Sequence, residues 1–404
     1  MQENTALKGM KVIELAWVFM GPLITKILGD FGAEVIKIES QSRPDVMRST
    51  PPFADRKPGM NRSGGFSFLN SSKYSLTLNL DKSEGIKILR KLVGWADILV
   101  EGFTPGMAKK WGITYKEVNE LNPGLIMVST SMQGQSGPYS KQKGFGSFFQ
   151  ALPGFYKLTG HPNQAPPVPL TAYTDFIAPW YGVVAILGAI HYRRLTGKGQ
   201  YIDISQLETS VQFLSPSVLD YTCNKHAQSA NENRSAHSVP HNVYRCKGDD
   251  RWCAIAVSSD SDWQALVSAI GNPILRENQK FGTFRERKKN EIELDKLIEE
   301  WTIQHSPEEI MRLLQAAGIT CGVVQNGKDL SEDPHLRESG FFQALSHPEM
   351  GPTTYTRSPF TLSETPCQMK PAPCLGEHTE YICTKILGMS EEEFVELINT
   401  GVLE

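Results

Sequence analysis

Short apolar runs alternate with helix-spaced stretches through the first 130 residues, and this alternation constrains the fold more than any other feature. Met10–Ala16 reads as a buried strand. Gly21–Phe31 carries apolar residues at helical spacing, with Gly29 and Gly32 punctuating its end. Ala33–Glu39 is strand-like again, and Tyr74–Leu80 alternates as a strand does. Ser83–Ala96 reads as a helix with Ser83 as its cap. Asp97–Val100 and Leu125–Ser129 read as strands on either side of a short helix at Tyr115–Leu121. Strands that alternate with helices imply parallel neighbours joined by crossovers. The expected class is therefore α/β, with a Rossmann-like open parallel sheet whose ligands sit at the carboxyl ends of its strands.

The length of 404 residues suggests two or three domains. The large domain is expected to begin with residues 1–206, followed by a linker at 207–226. A smaller α+β domain is expected over 227–304, with a strand at Trp252–Val257 and helices at Ser261–Ile270 and Glu291–Ile303. A second linker is placed at 305–330, before a Pro-rich return segment, 331–404, that ends in helices from Glu377 and near Ser390. Phe176–Tyr192 is apolar over about seventeen residues, the lower edge for a membrane span. Pro179, Trp180, Tyr181 and His191 interrupt it, so a buried helix is the expectation.

Charge and motifs narrow the function. The net charge is 41 − 44 = −3, which gives no whole-chain reason to expect nucleic acid or an anionic membrane as partner. The seven cysteines are scattered and form no CxxC pair, which argues against a disulfide framework or a zinc ribbon and suits reduced thiols in the cytoplasm. Met1–Leu15 does not read as a secretory leader. The nine histidines do not cluster at metal-ligand spacing, so no metal is expected. There is no G-x-G-x-x-G after the first strand, no G-x-x-x-x-G-K-[ST], no H-E-x-x-H and no G-x-S-x-G. The chemistry is expected to run on ordinary side chains.

A set of strings, in order along almost the whole chain, resembles the class III CoA-transferases of the formyl-CoA and carnitine type. These are Gly9-Met10-Lys11-Val12-Ile13-Glu14-Leu15 with Gly21-Pro22, and Leu28-Gly29-Asp30-Phe31-Gly32-Ala33-Glu34-Val35-Ile36-Lys37-Ile38-Glu39. They continue with Asn70-Ser71-Ser72-Lys73, Ala96-Asp97-Ile98-Leu99-Val100-Glu101-Gly102-Phe103, and Gly134-Gln135-Ser136-Gly137-Pro138-Tyr139. Thr196-Gly197-Lys198-Gly199-Gln200 and Leu375-Gly376-Glu377-His378-Thr379 complete the set.

The resemblance implies an aspartate nucleophile upstream of the T-G-K-G-Q string, here Asp175. An aspartate has a reference pKa near 3.9, and a helix N-terminus favours its charged form, so it is expected to be ionised without a general base. Such a carboxylate can attack a thioester carbonyl. On the residues alone, a helix cap is an equal reading of Asp175. The resemblance further implies aspartyl anhydride and aspartyl-CoA thioester intermediates. It assigns CoA contacts to Val18, Lys73, Gly102, Phe103, Lys110, Trp111 and Lys143. Lys73 and Lys110 are the expected phosphate cations, and Phe103 or Trp111 the adenine platform. A basic residue common after the Ile-Lys-Ile-Glu string is replaced by Ser40, which leaves Arg43 or Arg48 to substitute. A surface role is the plain alternative for the lysines. Coenzyme A thioesters are expected as substrates, with no permanently bound cofactor.

Succinyl-CoA is the expected donor, and the acceptor an aromatic or dicarboxylic acid such as benzylsuccinate. That hint rests on Phe145, Phe148, Phe149, Phe155 and Tyr156, for which a core role is equally open. The related racemases place a histidine where this chain has Phe145, which cannot relay a proton. A non-catalytic CoA-binding subunit is the other alternative. A nicotinamide dehydrogenase is disfavoured by the missing glycine fingerprint. By the same resemblance, two chains interlock as a ring dimer, as a homodimer or a heteromer with a related subunit, and the return segment completes the large domain.

Overall fold

The computed structural model describes residues 5–404, apart from 143, 145 and 169–171 and the side chains of 147 and 148. Six strands form one parallel sheet: β1 (Lys11–Leu15), β2 (Glu34–Glu39), β3 (Lys73–Thr77), β4 (Ile98–Glu101), β5 (Ile126–Ser131) and β6 (Tyr201–Ser205). Their order is β3-β2-β1-β4-β5-β6, and every pairing is parallel. The order reverses between β1 and β4, which creates a crevice at their carboxyl ends.

Both faces of the sheet are covered, as a parallel sheet requires. Val12, Val35, Val100 and Val128 face one core, shared with α1 (Met20–Asp30). Ile13, Ile36, Leu99 and Met127 face the other, shared with α2 (Ser83–Trp95). The alternation of neighbours such as Val12 and Ile13 between cores follows from the two-residue period of a strand. Ser83 is the first residue of α2 and not its cap, which is Lys82 with no side-chain bond.

The apolar stretch at Phe176–Tyr192 is part of α3 (Tyr173–Thr196), which packs Ala178, Val183, Ile186 and Ile190 into the core beside α1. Among the described residues it is the one helix long and apolar enough to cross a membrane, and half of its most apolar window is buried within this chain. The region 207–226 is not a linker. It holds α4 (Gln206–Phe213) and a second helix, Ser215–Asn224.

The chain divides into two compact units. The first joins residues 1–156, 168–228 and 338–404. In it the return segment lies along the edge of the sheet: His378 N–H donates to the Ser75 carbonyl at 3.0 Å and Asn79 N–H to the Val402 carbonyl at 2.9 Å. That segment also carries an antiparallel hairpin, β10 (Phe342–His347) with β11 (Gly351–Thr356), where the sequence reading placed no strand. Pro352 masked it, since proline is tolerated on an edge strand but reads as a strand breaker.

The second unit joins 157–167 and 229–337. Its antiparallel sheet orders β7 (His241–Arg245), β8 (Trp252–Ala256) and β9 (Thr320–Val323). Its core gathers Trp263, Phe281, Leu294, Ile298 and Leu314. The region 305–330 is likewise no linker, because helix Pro307–Ala316 and β9 complete this core and sheet.

Candidate active site

At the reversal point the backbones of β1 and β4 come close. A Cβ on Gly102 would meet Ala16 Cβ at 3.1 Å and Thr130 Oγ1 at 3.0 Å, so this end of β4 admits little beyond glycine. Gly102 N–H donates to the Leu15 carbonyl at 3.2 Å, and Phe103 N–H donates to the Glu101 carboxylate at 3.0 Å. These bonds turn Phe103 out past the end of the sheet.

There it meets two indoles. Phe103 lies edge-on to Trp111 at 4.9 Å and edge-on to Trp17 at 5.4 Å. The three rings help to line a cavity of about 270 Å³ at the carboxyl ends of β1 to β4, with Leu15, Ile38 and Leu78 among its apolar walls. Trp17 Nε1 and Trp111 Nε1 are both buried and without a hydrogen-bond partner among the described residues. Buried donors ordinarily find partners, so a ligand acceptor is the natural complement. An apolar, ring-lined slot with spare N–H donors suits a nucleobase.

The cations divide into two sets. Arg43 lines the cavity and pairs with Asp81 at 2.9 Å, and Lys110 reaches the same carboxylate at 3.3 Å. All three side chains are about half exposed, so these pairs hold little and can be exchanged for a phosphate. Lys73 and Arg48, by contrast, belong to the interior. Lys73 Nζ contacts Glu14 and Asn70 side chains at 2.8 and 2.9 Å and the Pro22 and Leu69 carbonyls at 2.8 and 3.0 Å. Burial pushes this ammonium down to about 8, against the pull of Glu14. It has no surface to offer a phosphate, which corrects the expectation for Lys73. Arg48 is fully buried in a two-pronged pair with Glu39 at 2.7 and 2.8 Å, so Arg43 alone of the two candidates reaches the cavity.

Val18 sits in the loop between β1 and α1 with φ at 70°, and its N–H donates to the Asp45 carboxylate. Lys143 and Phe145 lie outside the described residues, as does the side chain of Phe148. Of the other aromatics singled out in the sequence, Phe149 is core, and Phe155 packs edge-on to Tyr173 at 5.4 Å.

Asp175 stands in the first turn of α3, whose N-cap is Ala172, so it is not the cap residue. Its side chain is 7% exposed. No ion pair reaches it among the described residues; the side-chain amide of Gln206, at the start of α4, donates to it. Burial pushes its carboxyl up to about 6, with the Gln206 bond pulling the other way. Burial thus holds it above an ordinary aspartate, yet still mostly ionised at neutral pH. Phe176 packs against Phe19 at 5.3 Å and Phe68 at 6.2 Å, which seals one side of this turn.

Sequence reading missed Trp17, Asp81 and Gln206. Trp17 flanks Val18, and Gln206 follows the β6 alternation, but neither carries a motif that marks it.

Comparison with known proteins fits this geometry. The profile of the family described as CoA-transferase family III matches residues 7–379. The chain is 31% identical to succinyl-CoA–D-citramalate CoA-transferase of Chloroflexus aurantiacus over 97% of this chain and 96% of that one. It is also 31% identical to the alpha subunit of succinyl-CoA–L-malate CoA-transferase of Chloroflexus aurantiacus, over 100% of this chain and 94% of that one. The crystal structure of a CAIB/BAIF family protein from Brucella suis superposes with a TM-score of 0.88 at 29% identity, covering 95% of this chain and 100% of that one.

Proposed function

The chain belongs to CoA-transferase family III, and we propose that it moves CoA from succinyl-CoA to a small dicarboxylic acid through covalent adducts on Asp175. The carrying observation is the Asp175 carboxylate itself, buried with no ion pair among the described residues and bonded to the neutral amide of Gln206. A carboxyl at about 6 is mostly ionised at neutral pH, yet poorly solvated, which suits a nucleophile. Glu14, another buried carboxylate, is paired with cations instead, Lys37 and Lys73.

The steps balance without ATP. Asp175 attacks the succinyl thioester carbonyl and expels CoA thiolate, leaving a mixed anhydride. The thiolate attacks the aspartyl carbonyl, which releases succinate and leaves aspartyl-CoA thioester. The acceptor carboxylate attacks that thioester, giving a second anhydride and thiolate. Attack of the thiolate on the acceptor acyl carbonyl yields the new acyl-CoA and restores Asp175. Each exchange trades one acyl thioester or anhydride for another.

The adenine end of CoA is assigned to the cavity between Phe103, Trp17 and Trp111, and its phosphates to Arg43 and Lys110. Val18 and Gly102 supply the backbone beside it. The dicarboxylate acceptor rests on the relatives named for citramalate and malate. Benzylsuccinate is a dicarboxylate too, and remains the bulky member of the class to test. For assembly, Trp180, Val184, Leu187 and Leu195 of α3 are exposed apolar side chains that suit a second copy of the chain or a related subunit.

The test is incubation with succinyl-CoA followed by intact mass measurement. Wild type is expected to gain a hydroxylamine-labile adduct on Asp175, and the Asp175→Asn variant none. Acceptor acids are then screened for acyl-CoA formation. A variant with normal turnover would overturn the assignment. Transfer to oxalate or carnitine far exceeding transfer to C4 and C5 dicarboxylates would overturn the acceptor class.

A further inference from the structure

The loop between β1 and α1 touches both halves of the proposed reaction. Trp17 lies edge-on to Phe103 in the nucleotide cavity, and Phe19 lies edge-on to Phe176, the neighbour of Asp175. Between them Val18 holds a φ of 70°. A β-branched residue rarely adopts that conformation, and it persists only where the surroundings impose it.

Buried charges impose it here. Lys37 Nζ donates to the Ala16 carbonyl at 2.9 Å. The Asp45 carboxylate accepts the Val18 N–H at 3.2 and 3.3 Å. Lys73 Nζ donates to the Pro22 carbonyl at 2.8 Å. The three anchors are themselves tied together: Lys37 pairs with Asp45 at 3.0 Å and with Glu14 at 2.8 Å, and Glu14 pairs with Lys73 at 2.8 Å. All four side chains are 0% exposed. Apolar side chains of similar volume would fill this space with less desolvation cost. They would leave the loop's amide and carbonyls without directional partners.

We propose that Asp45 and Lys37 are positioning residues of the transfer reaction, holding the strained Trp17–Phe19 loop so that the nucleotide cavity and the Asp175 turn keep a common register. This rests on the reading that Asp175 takes the acyl group from CoA bound in that cavity.

The test joins a break with a relief of strain. Asp45→Ala is expected to slow adduct formation from succinyl-CoA by about ten-fold or more, at a temperature where circular dichroism shows it folded. Its affinity for ADP, the probe for the cavity alone, is expected to weaken in parallel. Adding Val18→Gly should recover most of both losses, because glycine takes a positive φ without strain. Because glycine at this position also relieves strain in the fold, rates and ADP affinity are compared at a temperature where all variants are fully folded, so that a change in stability alone moves neither. Wild-type rates in Asp45→Ala, or a slow variant that Val18→Gly leaves unimproved, would overturn the proposal. If Asp45→Ala does not fold, Asp45→Asn with and without Val18→Gly gives the same comparison. Absence of any adduct in wild type would sink the transferase reading, and ADP affinity would still decide the role of the loop.

Discussion

Gln206 donates its side-chain amide to the Asp175 carboxylate, joining the start of α4 to the first turn of α3. This bond favours the ionised form of a group that burial pushes toward neutrality. Gln206→Met should therefore raise the Asp175 pKa above its value of about 6. Activity that needs the carboxylate is lost as pH falls through the pKa, so the acid limb of kcat/KM should move to higher pH. A hydrogen bond to a charged group is worth about 1.5–3 kcal/mol, or roughly one to two pH units, so a loss of about two- to fifteen-fold at pH 7 is expected, recovered by about pH 9. An unmoved acid limb would show that Gln206 does not act on Asp175.

Asp175→Asn should abolish transfer while making the fold more stable. The folded pKa lies above the ordinary aspartate value of 3.8, so the unfolded chain gives up this proton first. The ionised residue therefore costs stability at pH above about 6, and the cost fades as pH falls from there to 3.8. At pH 8 removal of the charge should gain at most about 3 kcal/mol, seen as a higher Tm. A lower Tm would argue against burial as the source of the shift.

Phe103→Leu keeps an apolar side chain but removes the aromatic face. Stacking of a base on such a ring is worth about 1–3 kcal/mol. The KM for acyl-CoA should rise about ten-fold with little change in kcat or in the KM of the acceptor acid. An effect confined to kcat would place the adenine elsewhere.

Arg43→Ala and Lys110→Ala should leave thermal stability nearly unchanged, because their pairs with Asp81 are exposed. Each should raise the KM for acyl-CoA, and the wild-type KM should rise with salt more steeply than that of either variant. Asp81→Asn, which frees both cations, should lower it. Equal salt dependence in all four proteins would remove the phosphate role.

Arg48→Met should behave differently from Arg43→Ala. Arg48 is buried on Glu39, and removing one partner of such a pair typically costs about 3–5 kcal/mol. A large fall in the urea midpoint is expected. A Tm within a degree of wild type would show that the pair is dispensable.

Much of this architecture was legible along the chain. The strand–helix alternation, the apolar neighbours Val12 and Ile13, and the glycines of the first 130 residues are local signals, and they determine a parallel sheet covered on both faces. The Asp175 position and the family strings were legible as well. Strands with a polar face or a proline, such as β6 and β11, were not, because their period is short and their partners are distant.

What the tertiary structure decided was the use of each charge. Lys73 and Lys110 are the same residue type, yet one is enclosed by oxygen partners and the other is half exposed beside Asp81 of the cavity wall. The carboxyl of Asp175 is buried against a neutral amide, whereas that of Asp81 is half exposed between two cations. Solvation and pairing arise from atoms brought together across long stretches of chain, so no local pattern can encode them.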